Sequence, residues 1–543
     1  MAGTTHWRMF VVAYAIVYVA AQCFIMYIKS VAIRAPPPEF GKALHIAGTI
    51  NFQLIMFLCS IFAWKRVQAL VATPIPWLNA HDQVRSMKGA SSAPVLPTYF
   101  HSQSSKDFRS GANSGNTFYV GLFRRLLLFV FTIMLVSSHI SLLLYFMHQS
   151  TEPWFFTIQC FVSFGFYIHI VGFLIGFSIF NFILRGLLVF NLPSKILNPL
   201  MRNRFTRLML MSAPIQTLIS LVLSVILVVA GMIAVSGPPV AREVPVKLRN
   251  LSPNFVGFKI AVLADLHVGT SVGRQRIENA VQVVNEVNAD AVAIVGDLAD
   301  GVLSDLKDAV VPLGNMRASR GVYYVTGNHD YYYGYTDQWI EHLATHYDVI
   351  PLRNNATTIR FEHDESKPDF RNSPTICLAG VDDLSAGDKR LPGHAMDIPK
   401  AIANCDKHSP TILLAHNPRA AVIYENSNFE TTLHQNNHQN QTISTSSANK
   451  NNNGMNTKVD LIISGHTHGG QMYILLPIAH ALLGPYIHGV YRFHRPDYGK
   501  VIVGTDLTEF EPQIYVSPGV YFAGAPMKMF GMSQIPVVVL QRE

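Results

Sequence analysis

The chain has 543 residues, of which 49% belong to the apolar set and only 14% are charged, where an ordinary soluble domain carries about 25% charged residues. Such a shortage of charge excludes a wholly soluble or disordered chain. Five cysteines, three of them (Cys23, Cys59 and Cys160) inside apolar runs, exclude a disulfide-rich scaffold and a Cys-rich zinc ribbon. The net charge of +8 averages two unlike halves: residues 1–249 carry 20 Lys and Arg against 5 Asp and Glu, residues 250–543 carry 22 against 29. The positive excess lies in the apolar half, so no nucleic-acid partner is expected.

A bilayer core takes about 20 apolar residues as a helix. Five runs are long enough and free of Asp, Glu, Lys and Arg: 9–28, 44–64, 126–147, 154–184 and 214–236. They are apolar on every face, unlike the one-sided helices of a soluble protein. Residues 1–237 are therefore expected to form a membrane region of about five transmembrane helices. Positive charge gathers on the cytoplasmic side of such spans. Arg8, the 65–125 segment and the 185–208 segment together hold 14 Lys and Arg, the opposite side 6. This bias puts the amino terminus and long loops in the cytoplasm. An odd number of spans then puts everything beyond residue 240 on the lumenal or extracellular face. The lipid bilayer is the first expected partner, and the absence of intramembrane charge disfavours a transporter.

Residues 238–257, opening on Pro238-Pro239, read as a charged linker. From residue 258 to 543, short β-branched runs alternate with amphipathic stretches, the pattern of an α/β domain. Five of those runs end on metal-capable side chains. Lys259–Ala264 leads into Asp265-Leu-His267, and Ala291–Val295 into Gly296-Asp297-Leu-Ala-Asp300. Val322–Thr326 leads into Gly327-Asn328-His329-Asp330, and Thr411–Leu414 into Ala415-His416. Val459–Ile463 leads into Ser464-Gly465-His466-Thr467-His468-Gly469-Gly470. Ligands at the carboxyl ends of strands converge on one crevice in an α/β fold. The pairs Asp265/His267 and His466/His468 are two residues apart, which in an extended segment sends both side chains to one side. Singly, each cluster reads as a turn or a helix cap; five in order after five β runs read as a metal centre.

Together the five clusters resemble the calcineurin-like metallophosphoesterases, whose motifs run D-x-H, G-D-x-x-D, G-N-H-[DE], a lone His, then G-H-x-H. The resemblance covers residues 259–471 and extends to about 250–543. It implies an α-helical multi-pass membrane region followed by an α/β metallophosphoesterase domain, a two-sheet β-sandwich flanked by helices and holding two divalent metal cations. By resemblance, Asp265, His267 and His468 bind the first metal, Asn328, His416 and His466 the second, and Asp297 bridges both. His329 is then the general acid and Asp300 its orienting partner. Mixed carboxylate, amide and imidazole ligands suit Mn, Fe or Zn. The implied activity is hydrolysis of phosphoric ester bonds by a metal-bridging hydroxide. The substrate is a phosphate ester, and tethering to a bilayer suggests a lipid-linked one. The rival reading, an inactive membrane receptor or adaptor, is disfavoured by the complete ligand set.

Three further features stand apart. Segment 426–457, rich in Asn, Gln, Ser and Thr, reads as a disordered insertion. Cys377 and Cys405 can pair on a lumenal face or stay as buried thiols. Tyr331, Tyr332, Tyr333 and Tyr335 form either an aromatic rim to the site or packing beneath it.

Overall fold

The computed structural model describes residues 2–32, 37–72, 114–147, 152–189, 202–362, 366–367, 370–389, 391–426, 458–492 and 512–543. The insertion expected at 426–457 lies outside the described residues beyond residue 426. The five apolar runs fall in the helices Ala2–Ala32, Pro37–Ala72, Ser114–Met147, Phe155–Val189 and Ala213–Ala234. Among the described residues, four stretches are long and apolar enough to cross a membrane: Ile46–Ala72, Gly121–Tyr145, Phe155–Leu187 and Ala213–Ala234. In the first helix the apolar stretch is the shorter Tyr14–Lys29. By contact density the chain divides into two compact units, residues 1–56, 137–168 and 225–543, and residues 57–136 and 169–224.

The α/β part, within the first unit, has twelve strands among the described residues: β1 (Val240–Leu248), β2 (Lys259–Leu263), β3 (Ala291–Val295), β4 (Val322–Val325), β5 (Val349–Pro351), β6 (Asn355–Arg360), β7 (Thr375–Gly380), β8 (Thr411–Leu414), β9 (Leu461–Ser464), β10 (Gly489–Arg492), β11 (Gln513–Val516) and β12 (Gln534–Arg542). They form two six-stranded sheets, ordered β1-β12-β2-β3-β4-β5 and β10-β11-β9-β8-β7-β6. In the first, β2 to β5 run parallel to one another and β12 lies antiparallel to β2; in the second, β11, β9, β8 and β7 run parallel to one another, flanked by the antiparallel β10 and β6.

Period-2 alternation sorts the side chains. Ile260 and Val262 of β2, with Ala293 and Val295 of β3, face Leu378, Ile412, Leu461 and Ile463 of the other sheet in a shared core. Ala261, Leu263, Val292 and Ile294 point the other way and pack on Ile277, Val281 and Val284 of the helix Arg274–Val287 and on Trp339 and Leu343 of the helix Thr336–Tyr347. Strands buried on both faces are what parallel sheets covered by helices require. Burying each such Val, Leu or Ile contributes roughly 1.5–3 kcal/mol before chain entropy is counted.

Residues 238–257 differ from the linker expected of them. Val240–Leu248 is β1, paired in parallel with β12 along its whole length. Val246 and Leu248 enter the core between the sheets, while Arg242, Glu243 and Lys247 stay exposed. The charges hid the alternation in the sequence, and Pro245 is tolerated because β1 is an edge strand. Cys377 of β7 and Cys405 form a disulfide, with Cα atoms 5.6 Å apart.

Candidate metal centre

The five clusters sit at the carboxyl ends of β2, β3 and β4, adjacent in one sheet, and of β8 and β9, adjacent in the other. The two strand-end edges meet. The backbone N–H of His466 donates to Asp265 Oδ1 at 3.0 Å from one sheet to the other, and that of Asp265 to the Gly296 carbonyl at 3.2 Å within the first sheet. The close approach explains two glycines of the motifs. A Cβ on Gly327 would lie 2.2 Å from Asp297 Oδ1, and one on Gly465 2.6 Å from Asp265 Oδ2.

The backbone here is not extended as the two-residue spacing suggested. Asp265, His267, Asp297, His466 and His468 all adopt left-handed conformations, with φ of 57°, 48°, 52°, 73° and 51°. Each such non-glycine residue costs about 1–2 kcal/mol and persists only where the surroundings over-determine it. Hydrogen bonds supply that constraint: His267 N to Asp297 O at 3.0 Å, Gly465 N to His416 O at 2.9 Å, Asp300 N to Val268 O at 2.8 Å. The pairs converge because each chain turns tightly at the strand end.

Three overlapping groups bring their ligand atoms within 4.8 Å of one another: Asp265, His267 and His468; His267, Asp297 and His329; Asp297, His416 and His466. In the first, His267 Nε2 lies 2.9 Å from His468 Nε2, which is 3.3 Å from Asp265 Oδ1. In the last, His416 Nε2 lies 3.2 Å from Asn328 Oδ1, and His466 Nδ1 lies 2.7 Å from the same oxygen. Asp297 Oδ2 faces both, 3.6 Å from His267 Nε2 and 3.2 Å from His416 Nε2. The strand-end residues Asp265, His267, Asp297, Asn328, His329, His416, His466 and His468 are brought to one place.

The donor set fits cations. His416 Nδ1 lies 2.8 Å from the Val295 carbonyl and His267 Nδ1 3.1 Å from both Asp300 oxygens. Acceptors at those nitrogens fix a proton on Nδ1, so that in the neutral ring each Nε2 lone pair turns inward, the arrangement of metal-binding histidines. The inward lone pairs then face carboxylate and amide oxygens, which is acceptor against acceptor. His468 Nδ1 is buried without a hydrogen-bond partner.

The electrostatics carry the same demand for positive charge. Burial pulls the His267 imidazole down, but Asp300, Asp297 and Asp265 outweigh it and raise it to about 9. His416 is likewise raised against burial, chiefly by Asp297. Burial and the neighbouring His416 push His466 down to about 3. Asp300, despite burial, is held well below the usual carboxylate range by His267 and His329.

His329 is partly open to solvent, its side chain 18% exposed. Its N–H donates to Asp297 Oδ1 at 2.8 Å, its Nδ1 lies 2.7 Å from Asp300 Oδ1, and its ring meets His267 edge-on at 4.5 Å.

Sequence reasoning missed two contributors, Asp330 and Tyr145, and left a third, Tyr332, between two readings. Asp330 accepts from Gly327 N at 2.7 Å and Asp297 N at 3.1 Å through Oδ2 and from Leu298 N at 3.0 Å through Oδ1, tying two ligand loops together. Its place as fourth residue of Gly-Asn-His-Asp was the available signal. Tyr332 accepts from Asn328 Nδ2 at 2.8 Å and so turns Asn328 Oδ1 toward His416 and His466. The tyrosines thus divide: Tyr331 is buried, bonded to Thr326 and His394, whereas Tyr332 lies against His329 at 4.5 Å. The other missed residue is Tyr145, whose hydroxyl lies 3.1 Å from His329 Nδ1.

Two sheets with histidines and carboxylates at their joined strand ends define a phosphoesterase-type hydrolase domain, and residues 258–470 match the family model of the calcineurin-like phosphoesterase. A transmembrane protein with metallophosphoesterase domain from Danio rerio is 30% identical over 522 residues, covering 96% of this chain and 95% of the relative. Its namesake from Bos taurus is 33% identical over 336 residues, 62% of this chain and 64% of the relative. A Caenorhabditis elegans protein whose name gives it only as a metallophosphoesterase is 31% identical over 523 residues, 94% of this chain and 93% of its own. The chain belongs to this family of membrane proteins carrying a metallophosphoesterase domain. The names of the relatives give the class and no substrate.

Proposed function

We propose that the protein is a membrane-anchored hydrolase of phosphoric esters working through a dinuclear metal centre. One observation carries the reading: Asp297 Oδ2 stands between two groups of inward-facing ligands. Asp265, His267 and His468 would hold one divalent cation, Asn328, His416 and His466 the other, with Asp297 shared; Mn, Fe or Zn suit such ligands. When bound, the cations supply charge to polarise the phosphoryl oxygens and lower the pKa of a water. His329 delivers the proton to the departing ester oxygen, a role worth typically 10²–10⁴-fold. Asp300 fixes the His329 ring by taking its Nδ1–H, and Asp330 and Tyr332 keep the ligand loops in register.

The substrate is a phosphate ester, and the bilayer the partner that presents a lipid-linked one. With about five spans and the charge bias above, the catalytic domain faces the lumen or the exterior. The Cys377–Cys405 disulfide supports that side, since disulfides persist in oxidising compartments.

The test is to assay the full chain in detergent with Mn²⁺ on phosphate mono- and diesters beside His329→Ala. Turnover should fall by at least a hundredfold in the variant with cation content retained; absence of turnover with every cation would favour a binding role. Protease added outside sealed, right-side-out vesicles should cut the 258–543 domain; cleavage only from the cytoplasmic side overturns the orientation.

A further inference from the structure

We propose that the membrane region completes the catalytic site: Tyr145, near the end of the apolar helix Ser114–Met147, is a positioning residue that sets the His329 imidazole together with Asp300. The inference rests on His329 acting as the acid.

The Tyr145 hydroxyl approaches His329 Nδ1 at 3.1 Å across 184 residues of sequence, on the nitrogen that also meets Asp300 Oδ1 at 2.7 Å. Asp300 interacts with the Tyr145 hydroxyl as well. A carboxylate is the stronger acceptor for the Nδ1–H. A phenol has one proton to give and lone pairs to receive, so Tyr145 can donate to Asp300 and still present its oxygen to the Nδ1–H. The imidazole is then held from two directions, and its Nε2 is left as the atom that addresses the ester oxygen. Asp300 alone divides its oxygens between His267 and His329, so a second hold on His329 separates acid placement from the ligand His267.

Tyr145 does not arrive there on a free end. Its carbonyl receives hydrogen bonds from Thr270 Oγ1 at 3.5 Å and the Tyr333 hydroxyl at 3.4 Å. Other membrane-helix residues seat the domain around it. Arg276 donates to the Val235 carbonyl at 2.8 Å, and Lys528 N to the Gly231 carbonyl at 3.2 Å. Gly231 leaves room for Met527, whose Cβ would lie 2.8 Å from a Cβ at that position. Between helices, Glu152 accepts from Gln275 N at 2.7 Å, at the start of the helix Arg274–Val287. A contact fixed by this many partners can hold a ring in one orientation.

The experiment uses the full chain in detergent with Mn²⁺ and matched pairs of esters: a nitrophenyl ester, whose anion leaves without a proton, and an alkyl ester, which needs one. Tyr145→Phe keeps the ring and removes the hydroxyl. It should lower kcat on the alkyl ester roughly tenfold with KM unchanged, and on the nitrophenyl ester less than twofold. His329→Ala should show the same pattern, larger. Equal loss on both esters in Tyr145→Phe, or no loss on either, overturns the positioning role if His329→Ala still discriminates. If His329→Ala treats the esters alike, the acid assignment falls and takes this inference with it. A readout independent of turnover closes the case: a benzophenone amino acid in place of Tyr145 should photo-crosslink to the peptide carrying His329, and its failure to do so would refute the contact.

Discussion

In the apolar helices, polar side chains find one another. Asn181 and Gln216 exchange two hydrogen bonds, at 2.8 and 3.1 Å. Gln22 donates to Asn51 at 2.6 Å, and Gln53 to the His139 carbonyl at 2.9 Å. Ser220 and Ser224 each return to the carbonyl four residues back. In the α/β domain, Asp265, Asp297, His267 and His416 are more deeply buried than most of these, yet with neutral imidazoles their inward atoms meet lone pair to lone pair. The first arrangement is finished by the chain itself, as a lipid environment demands. The second is finished only by something positive, and that is the difference between a polar group that stabilises a fold and one that does chemistry.

The sharpest way to break this comparison is Asp297→Asn, which leaves the shape and removes the shared charge. We expect bound divalent cation, measured by mass spectrometry of the purified chain, to fall from two per chain to one or none, with hydrolysis lost. The drop in affinity should exceed the 10- to 100-fold that loss of an outer partner costs. Retention of both cations would sink the bridging role.

A smaller effect comes from pH. His267 is raised to about 9, so below that pH it carries a proton that a cation must displace. Affinity therefore rises as pH rises toward 9 and is lost as pH falls, by about tenfold per unit for each proton released. A competing chelator used as indicator between pH 6.5 and 8.5 would read the slope. A flat profile would mean that the imidazole is already neutral.

The smallest effect belongs to the membrane region. Replacing Asn181 and Gln216 together by Leu removes both partners at once, and such intramembrane hydrogen bonds are worth about 0.6 kcal/mol on average. Thermal unfolding in detergent should move by a few degrees at most, with cation content and turnover unchanged. A loss of cation would show that the contrast between the regions is false.

Much of this was legible in one dimension. A β run followed at once by Asp, Asn or His is a local pattern, and five of them in order carried both the fold and the side chains that gather at the joined strand ends. The strand β1 was not legible, because Arg242, Glu243 and Lys247 conceal the alternation that buries Val246 and Leu248. Nor was the left-handed backbone at Asp265, His267 and His468. Spacing suggests extended chain there, and only hydrogen bonds from the neighbouring loops impose the turn. Tyr145 was the least legible of all, since a tyrosine near the end of an apolar run reads as an interfacial residue.

By itself, then, the sequence determined the division into an apolar, basic half and an acidic α/β half, and which side chains gather at strand ends. These are set by composition and by patterns that repeat within a few residues. Only the tertiary structure decided how the side chains at the strand ends face one another, which acid ties the loops together, and that the helix Ser114–Met147 reaches His329. Those depend on contacts between residues up to 201 positions apart, where spacing along the chain carries no information about distance in space.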